Sequence, residues 1–222
     1  MTPSMPLPQA RTANIRAPLE RRRQLLWGLA VWPILARHAW AQTRPADVRR
    51  LRGTLQQVTP DHITLQTRDG ETVTLALGAQ LTVAEVYPIT LAEVQAGSFI
   101  GTAALPQADG SLQAIAVTVF PESARGLGEG HRPFDLQADS TMTNATVADV
   151  VSAPAGRTLQ LRYAGGQKNL QVPAGTPVVT FRPADRSLLV PGASVSLSAQ
   201  VVDGEPTATR INAGRNGFRL PY

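Results

Sequence analysis

The sequence predicts an all-β fold made of two tandem small antiparallel β-barrels, and three observations support this prediction. Glycine and proline occur 18 times each among 222 residues, which is typical of a chain with many turns and little helix. Residues 63–68 alternate between two sets of side chains, as a strand with one buried face does. Residues 48–120 and 143–215 also share one order of strands and turns.

A small antiparallel sheet avoids exposed edges by curling into a barrel. The predicted strand plan is therefore similar to that of the OB and SH3-like barrels. One continuous sandwich that contains both halves is the alternative that the sequence leaves open.

The two halves match at several positions. Residues 52–55 (Arg-Gly-Thr-Leu) correspond to residues 144–147 (Asn-Ala-Thr-Val). The other matches pair 63–70 with 159–166, 71–75 with 168–172, 91–100 with 188–195, and 108–110 with 202–204. Segment 63–70 ends in Asp-Gly and segment 159–166 ends in Gly-Gly, residues that tolerate positive φ in a hairpin turn. We predict repeats at 48–120 and 143–215, a glycine-rich joint at 121–142 and a loose or docking tail at 216–222.

The first 41 residues have the features of a secretory signal. Three arginines at 21–23 precede an apolar run at 25–36, and Ala39-Trp40-Ala41 is a small-x-small cleavage site. The apolar run is shorter than the roughly 20 residues that a spanning helix needs. We therefore predict cleavage after Ala41, export to the periplasm and no transmembrane segment in the remaining chain.

The route of export has two alternatives. Arg22-Arg23-Gln24-Leu25-Leu26 resembles the core of a twin-arginine signal. Arg21 replaces the Ser or Thr that usually comes before the pair, so ordinary secretion stays equally open.

Charge and cysteine content exclude several classes of function. Residues 1–41 contain six arginines and one acid, Glu20, so residues 42–222 carry 15 basic and 15 acidic side chains. A neutral body has no broad electrostatic surface for nucleic-acid phosphates. The chain has no cysteine, which excludes thiol catalysis, disulfides and zinc–cysteine sites.

The joint contains the residues that we consider for binding a ligand or partner. Alternating glycines allow its backbone to approach a ligand closely, and charged side chains follow them. The predicted binding residues are Gly128, Glu129, Gly130, His131, Arg132 and Asp135.

Three interpretations of the joint remain open. In the first, the joint is a structural latch: Arg132 pairs with Asp135 or Asp139, His131 bonds to a carbonyl, and Phe134 fills the seam between the barrels. In the second, it binds a small anion or a partner. In the third, Glu129, His131 and Asp135 hold a metal ion.

No catalytic residue and no cofactor is predicted, and a metal site is predicted only as one of the three interpretations of the joint. The only other histidine after residue 41, His62, follows a Pro-Asp turn and is expected to be an ordinary solvent-facing strand residue. The chain has no Gly-x-Ser-x-Gly elbow. Acidic residues fall largely in turns, where their local hydrogen bonding explains them.

Arg49-Arg50-Leu51-Arg52 is a basic run near the start of the first repeat. Its two interpretations are attraction to an anionic surface or acidic partner, and protection of a strand edge by charge.

Residues 48–215 resemble an uncharacterised family of exported bacterial proteins with tandem barrel repeats, classed as a domain of unknown function. The motifs behind this resemblance are the Gly-Thr opening, the joint Gly-x-Gly-Glu-Gly-His-Arg-Pro-Phe-Asp and the segment Thr-Met-Thr-Asn-Ala-Thr-Val. The resemblance implies fold and location, and no activity. We expect a periplasmic, non-enzymatic protein that binds an envelope protein or small ligand, with a metal-handling accessory protein as the alternative.

Overall fold

The computed structural model describes residues 48–153 and 156–222, so the predicted signal at 1–41 lies outside the described residues. The all-β class is confirmed. The described residues form twelve strands and three short 3₁₀ turns at Leu91–Glu93, Glu122–Ala124 and Arg186–Leu188. The strands are β1 Arg49–Val58, β2 His62–Thr67, β3 Thr72–Pro88, β4 Phe99–Pro106, β5 Leu112–Val119, β6 Gly130–Pro133, β7 Thr141–Ala153, β8 Gly156–Tyr163, β9 Gly166–Pro173, β10 Val178–Ala184, β11 Ser194–Val202 and β12 Glu205–Gly214.

Ten of the strands form two closed rings of five. The first barrel runs β1-β2-β3-β12-β11 and closes where β11 pairs with β1. The second barrel runs β7-β8-β9-β5-β4 and closes where β4 pairs with β7. Each ring is antiparallel except for one parallel pair. This pair is β3 with β12 in the first barrel and β9 with β5 in the second. With β1–β3 and β7–β9 taken as strands 1–3, and β11–β12 and β4–β5 as strands 4–5, both rings have the order 1-2-3-5-4. This is the strand plan of a five-stranded OB-type barrel, and the second ring is a circular permutation of it along the chain.

The two predicted repeats exchange strands. Residues 48–120 contribute β1, β2 and β3 to the first barrel, but β4 and β5 to the second. Residues 143–215 contribute β7, β8 and β9 to the second barrel, but β11 and β12 to the first. Neither repeat therefore closes a barrel by itself.

The pairing register tests the sequence matches between the repeats. Arg52 lies opposite Ser196 on β11, and Asn144 lies opposite Gly101, the residue of β4 that is equivalent to Ser196. The register therefore agrees with the match of 52–55 to 144–147. The match of 71–75 to 168–172 is wrong by two residues. Ile63 faces Leu75, and its equivalent Leu159 faces Leu170 rather than Val172.

Alternate residues of the strands point inward and form a separate apolar core in each barrel. Equivalent positions are apolar in both cores, because burial of these side chains is the main favourable contribution to folding. Among the fully buried side chains are Leu55, Ile63, Leu65 and Leu75 in the first barrel and Val147, Leu159, Leu161 and Leu170 in the second.

A pair of strands joins the barrels. The second half of β3 runs antiparallel to β10, with Val86 opposite Phe181, and β10 runs parallel to β5. One continuous sheet therefore passes from the first barrel to the second. Within residues 48–153 and 156–222, no helix has the length and apolar character needed to cross a membrane.

The tail is docked on the body. Leu220 is buried, and the Arg68 guanidinium donates hydrogen bonds to the main-chain oxygens of Leu220 and Tyr222. The Thr118 hydroxyl donates to the Tyr222 hydroxyl over 3.2 Å. Of the two predicted alternatives for residues 216–222, the docking end is therefore the one observed.

Candidate functional site

A trough with a volume of about 800 Å³ lies along the outer face of the continuous sheet. The trough is lined by β1, β11 and β12 of the first barrel, by the bridging strands β3 and β10, and by β5, β4 and β7 of the second barrel. Phe120 and residues 121–134 of the joint complete its wall. Most lining residues alternate along their strands because the intervening residues point into the barrel cores.

The half of the trough on the first barrel is polar and basic, and we call it the basic half. Two rows of side chains run across three neighbouring strands. The outer row is Arg50, Ser198 and Arg210, and the inner row is Arg52, Ser196 and Asn212.

The half of the trough on the second barrel is small and apolar, and we call it the apolar half. It contains the residues equivalent to the two basic rows. Its outer row is Met142, Ala103 and Ala116, and its inner row is Asn144, Gly101 and Thr118. Phe120 and Leu127 of the joint add apolar surface beside these rows.

The joint fastens to both barrels through contacts of its charged side chains. Glu129 accepts a hydrogen bond from the Ala164 amide over 3.0 Å. Asp135 accepts one from Arg52 Nη2 over 2.7 Å. Arg132 Nη1 donates to the Gly128 carbonyl over 2.9 Å. The predicted pairing of Arg132 with Asp135 or Asp139 is therefore wrong, because the Asp135 carboxylate lies against Arg52.

His131 also differs from its predicted contact. Its Nδ1 lies 2.8 Å from the Thr143 hydroxyl, and not at a carbonyl, while its ring stacks near Tyr163 with centroids 6.4 Å apart. Partial desolvation lowers the pKa of the His131 imidazole, and the positive charge of Lys168 lowers that pKa further. The neutral ring is therefore the favoured form at neutral pH.

The three residues considered for a metal ion do not form a joint site. Glu129, His131 and Asp135 contact three different partners. These are Ala164 at the end of β8, Thr143 on β7 and Arg52 on β1. No cluster of three or more His, Asp or Glu side chains that could hold a metal ion occurs in the part of the chain that the structure describes.

Arg52 connects the joint to the basic half, and sequence reasoning treated it only as part of a basic run. Its side chain is 13% exposed, and its guanidinium lies over the Phe134 ring, 5.1 Å from the centroid. Its Nε is buried without a hydrogen-bond partner among the described residues. The sequence signal that could have identified Arg52 is the match between the two halves of the chain, in which the charged Arg52 takes the position equivalent to Asn144.

Asn144 is the equivalent anchor in the apolar half. It is 6% exposed, its Nδ2 donates to the Leu127 carbonyl over 2.9 Å, and its Oδ1 has no hydrogen-bond partner among the described residues. Gly101 makes room for this arrangement. A Cβ at Gly101 would lie 2.8 Å from both Asn144 Oδ1 and Phe120 Cε2.

The charged residues in the described lining of the trough are arginines. Among the described residues that line it, four are arginines and none is Asp, Glu, His or Lys. Hydroxyl groups of Ser196 and Ser198 therefore have no neighbouring base in the trough that could activate them as nucleophiles.

His62 lies away from the trough. Its Nε2 is 3.0 Å from Glu205 Oε1, and its side chain is 45% exposed. The contact links the β1–β2 loop to the β11–β12 turn of the first barrel.

Comparisons of the chain with protein-family models, with curated proteins and with solved structures found no match. The resemblance to a family of exported proteins therefore remains a prediction from the sequence motifs.

Proposed function

We propose that the protein is an exported, periplasmic and non-enzymatic binding protein that holds a small ligand in the trough. The observation that supports this proposal is the trough itself, with its volume of about 800 Å³ and its lining of small, apolar and arginine side chains. Small-ligand sites are typically concave and mostly apolar, with volumes of roughly 300–1,000 Å³ and a few polar groups that orient the ligand.

Binding is favoured over catalysis because the described lining pairs no nucleophile with a base. A small ligand is favoured over a protein partner because the site is a concavity flanked on one side by the joint. Export is supported by the basic, apolar and small-x-small order of residues 21–41.

The test is titration of the purified full chain with N-phenyl-1-naphthylamine, a neutral dye that fluoresces in apolar surroundings. The variant Ala84→Trp places a large side chain in the trough, where Ala84 is part of the lining on β3. We expect at least a tenfold loss of dye affinity, because the indole occupies the volume that the dye needs.

Ala79→Trp is the matched control, since Ala79 lies on the same strand, is exposed and does not line the trough. Its dye affinity should equal that of the parent, as should its thermal midpoint. Equal dye affinity in Ala84→Trp and the parent would contradict the proposal.

A further inference from the structure

The trough combines positive charge at one end with apolar surface at the other. We propose that its ligand is an amphipathic anion, with the anionic group on the arginines of the basic half and the apolar chain on the apolar half. This proposal rests on the trough being the binding site, and it names the chemical class of the ligand.

The outer basic row has the arrangement of an anion cradle. Ser198 lies between Arg50 and Arg210 in the register of three neighbouring strands, so the two arginines are about 10 Å apart at the backbone. Both arginines are exposed, and neither forms an ion pair with a described residue. Two guanidiniums that flank a hydroxyl supply several donors to a carboxylate or phosphate.

A second observation points to the same end of the trough. The Arg52 side chain is largely buried beside this row, and its Nε lacks a hydrogen-bond partner among the described residues. Among the described residues, the only carboxylate in contact with Arg52 is that of Asp135, which comes from the joint. Three arginines against one acid leave an excess of positive charge that an anionic ligand would offset.

The apolar half gives the length and chemistry of the rest of the ligand. From β12 to β5 the surface crosses β3 and β10, a separation across the strands of roughly 14 Å at about 4.8 Å per strand. Val86 on β3 and Phe181 on β10 line the trough between these two strands, and Ala103 on β4 lies beyond β5. A single alkyl chain of medium length fits such a strip, and Arg132, which lies opposite Met142 beside it, donates to the Gly128 carbonyl.

The test is displacement of the neutral dye from the full chain by four ligands that share one alkyl chain, each kept below its micelle concentration. These ligands are dodecanoate, dodecyl phosphate, dodecanol and dodecyltrimethylammonium. We expect the anions to displace the dye at concentrations at least tenfold lower than the alcohol needs, and the cation to be the weakest. Anionic vesicles of phosphatidylglycerol are tested as a fifth ligand. This comparison distinguishes binding of a free amphiphile from binding of a lipid head group in a membrane.

The double variant Arg50→Gln, Arg210→Gln should reduce the preference for dodecanoate over dodecanol to less than threefold. Arg50→Lys, Arg210→Lys should restore most of the preference, because the charge returns. Arg162→Gln is the control, since Arg162 is exposed on β8 outside the trough.

If dodecanol and dodecanoate displace the dye equally from the parent, the anion proposal is wrong while the binding function stands. If the parent binds no dye and none of the ligands, the proposed function itself is wrong. A preference that survives in the double glutamine variant would also overturn the assignment of the arginines.

Discussion

The two halves of the trough occupy equivalent positions of the two repeats, yet their side chains differ completely. The outer row is Arg50, Ser198 and Arg210 on the first barrel and Met142, Ala103 and Ala116 on the second. In contrast, equivalent inward positions remain apolar in both barrels, as Leu65 and Leu161 do.

This contrast separates the demands of folding from those of binding. Inward residues must fill a closed barrel, so both repeats carry side chains of similar volume there. Outward residues on the trough carry no such constraint. Their divergence creates one trough with two chemically different ends, which two identical repeats could not form.

The largest expected effect concerns the inward positions. Leu65→Ala and Leu161→Ala each remove a buried side chain that is at most 1% exposed, and each should lower the free energy of unfolding by about 2–5 kcal/mol. Because the repeats exchange strands, loss of one core also opens strands of the other barrel. Urea unfolding followed by circular dichroism should therefore show a single transition in both variants. Two separate transitions would contradict this coupling of the barrels.

The second prediction compares equivalent positions of the inner rows. Gly101→Ala should destabilise the protein by about 1–3 kcal/mol, because the added Cβ meets Asn144 and the Phe120 ring at 2.8 Å. Ser196→Ala, at the equivalent position in the basic half, should stay within about 0.5 kcal/mol of the parent. Urea midpoints measure both. Equal losses in the two variants would show that Asn144 and Phe120 do not pack on Gly101 as described.

The sequence was sufficient to predict the all-β class and most strand pairs within each hairpin. Alternation in residues 63–68 and the turns at Asp69-Gly70 and Gly165-Gly166 are local signals. The exchange of strands was not predictable in the same way. Strands β4 and β11 are equivalent, so the local pattern of β1 suits pairing with either strand. The connection through the joint decides that β1 pairs with β11.

The trough was missed for a related reason. Its residues come from eight strands and the joint, and they meet only through the order of the continuous sheet. Arg52 and Asp135 are 83 positions apart in the chain, and no local motif links them. The sequence predicts the joint as a binding segment or a latch, and in the structure its charged side chains contact both barrels, mostly through partners other than the predicted ones.

The smallest expected effect concerns the joint carboxylate that lies on the basic half. The hydrogen bond from Arg52 lowers the pKa of the Asp135 carboxyl, and the positive charges of Arg52 and Arg50 act in the same direction. A lowered folded-state pKa means that this pair stabilises the protein above the unfolded-state value of about 3.9. The contribution is lost as the pH falls through the folded-state pKa.

Asp135→Asn should therefore lower the free energy of unfolding by about 0.5–1 kcal/mol at pH 7, a small value because the Asp135 side chain is 52% exposed. The difference from the parent should shrink as the pH falls through the folded-state pKa and vanish once Asp135 is protonated in both states. Dodecanoate should bind the variant more tightly, because Arg52 no longer faces a competing carboxylate. Asp139→Asn removes an exposed charge from the same joint and should change neither property. A weaker affinity for dodecanoate in Asp135→Asn would mean that Asp135 holds the cradle in shape, and the basic half would then act through its geometry as well as its charge.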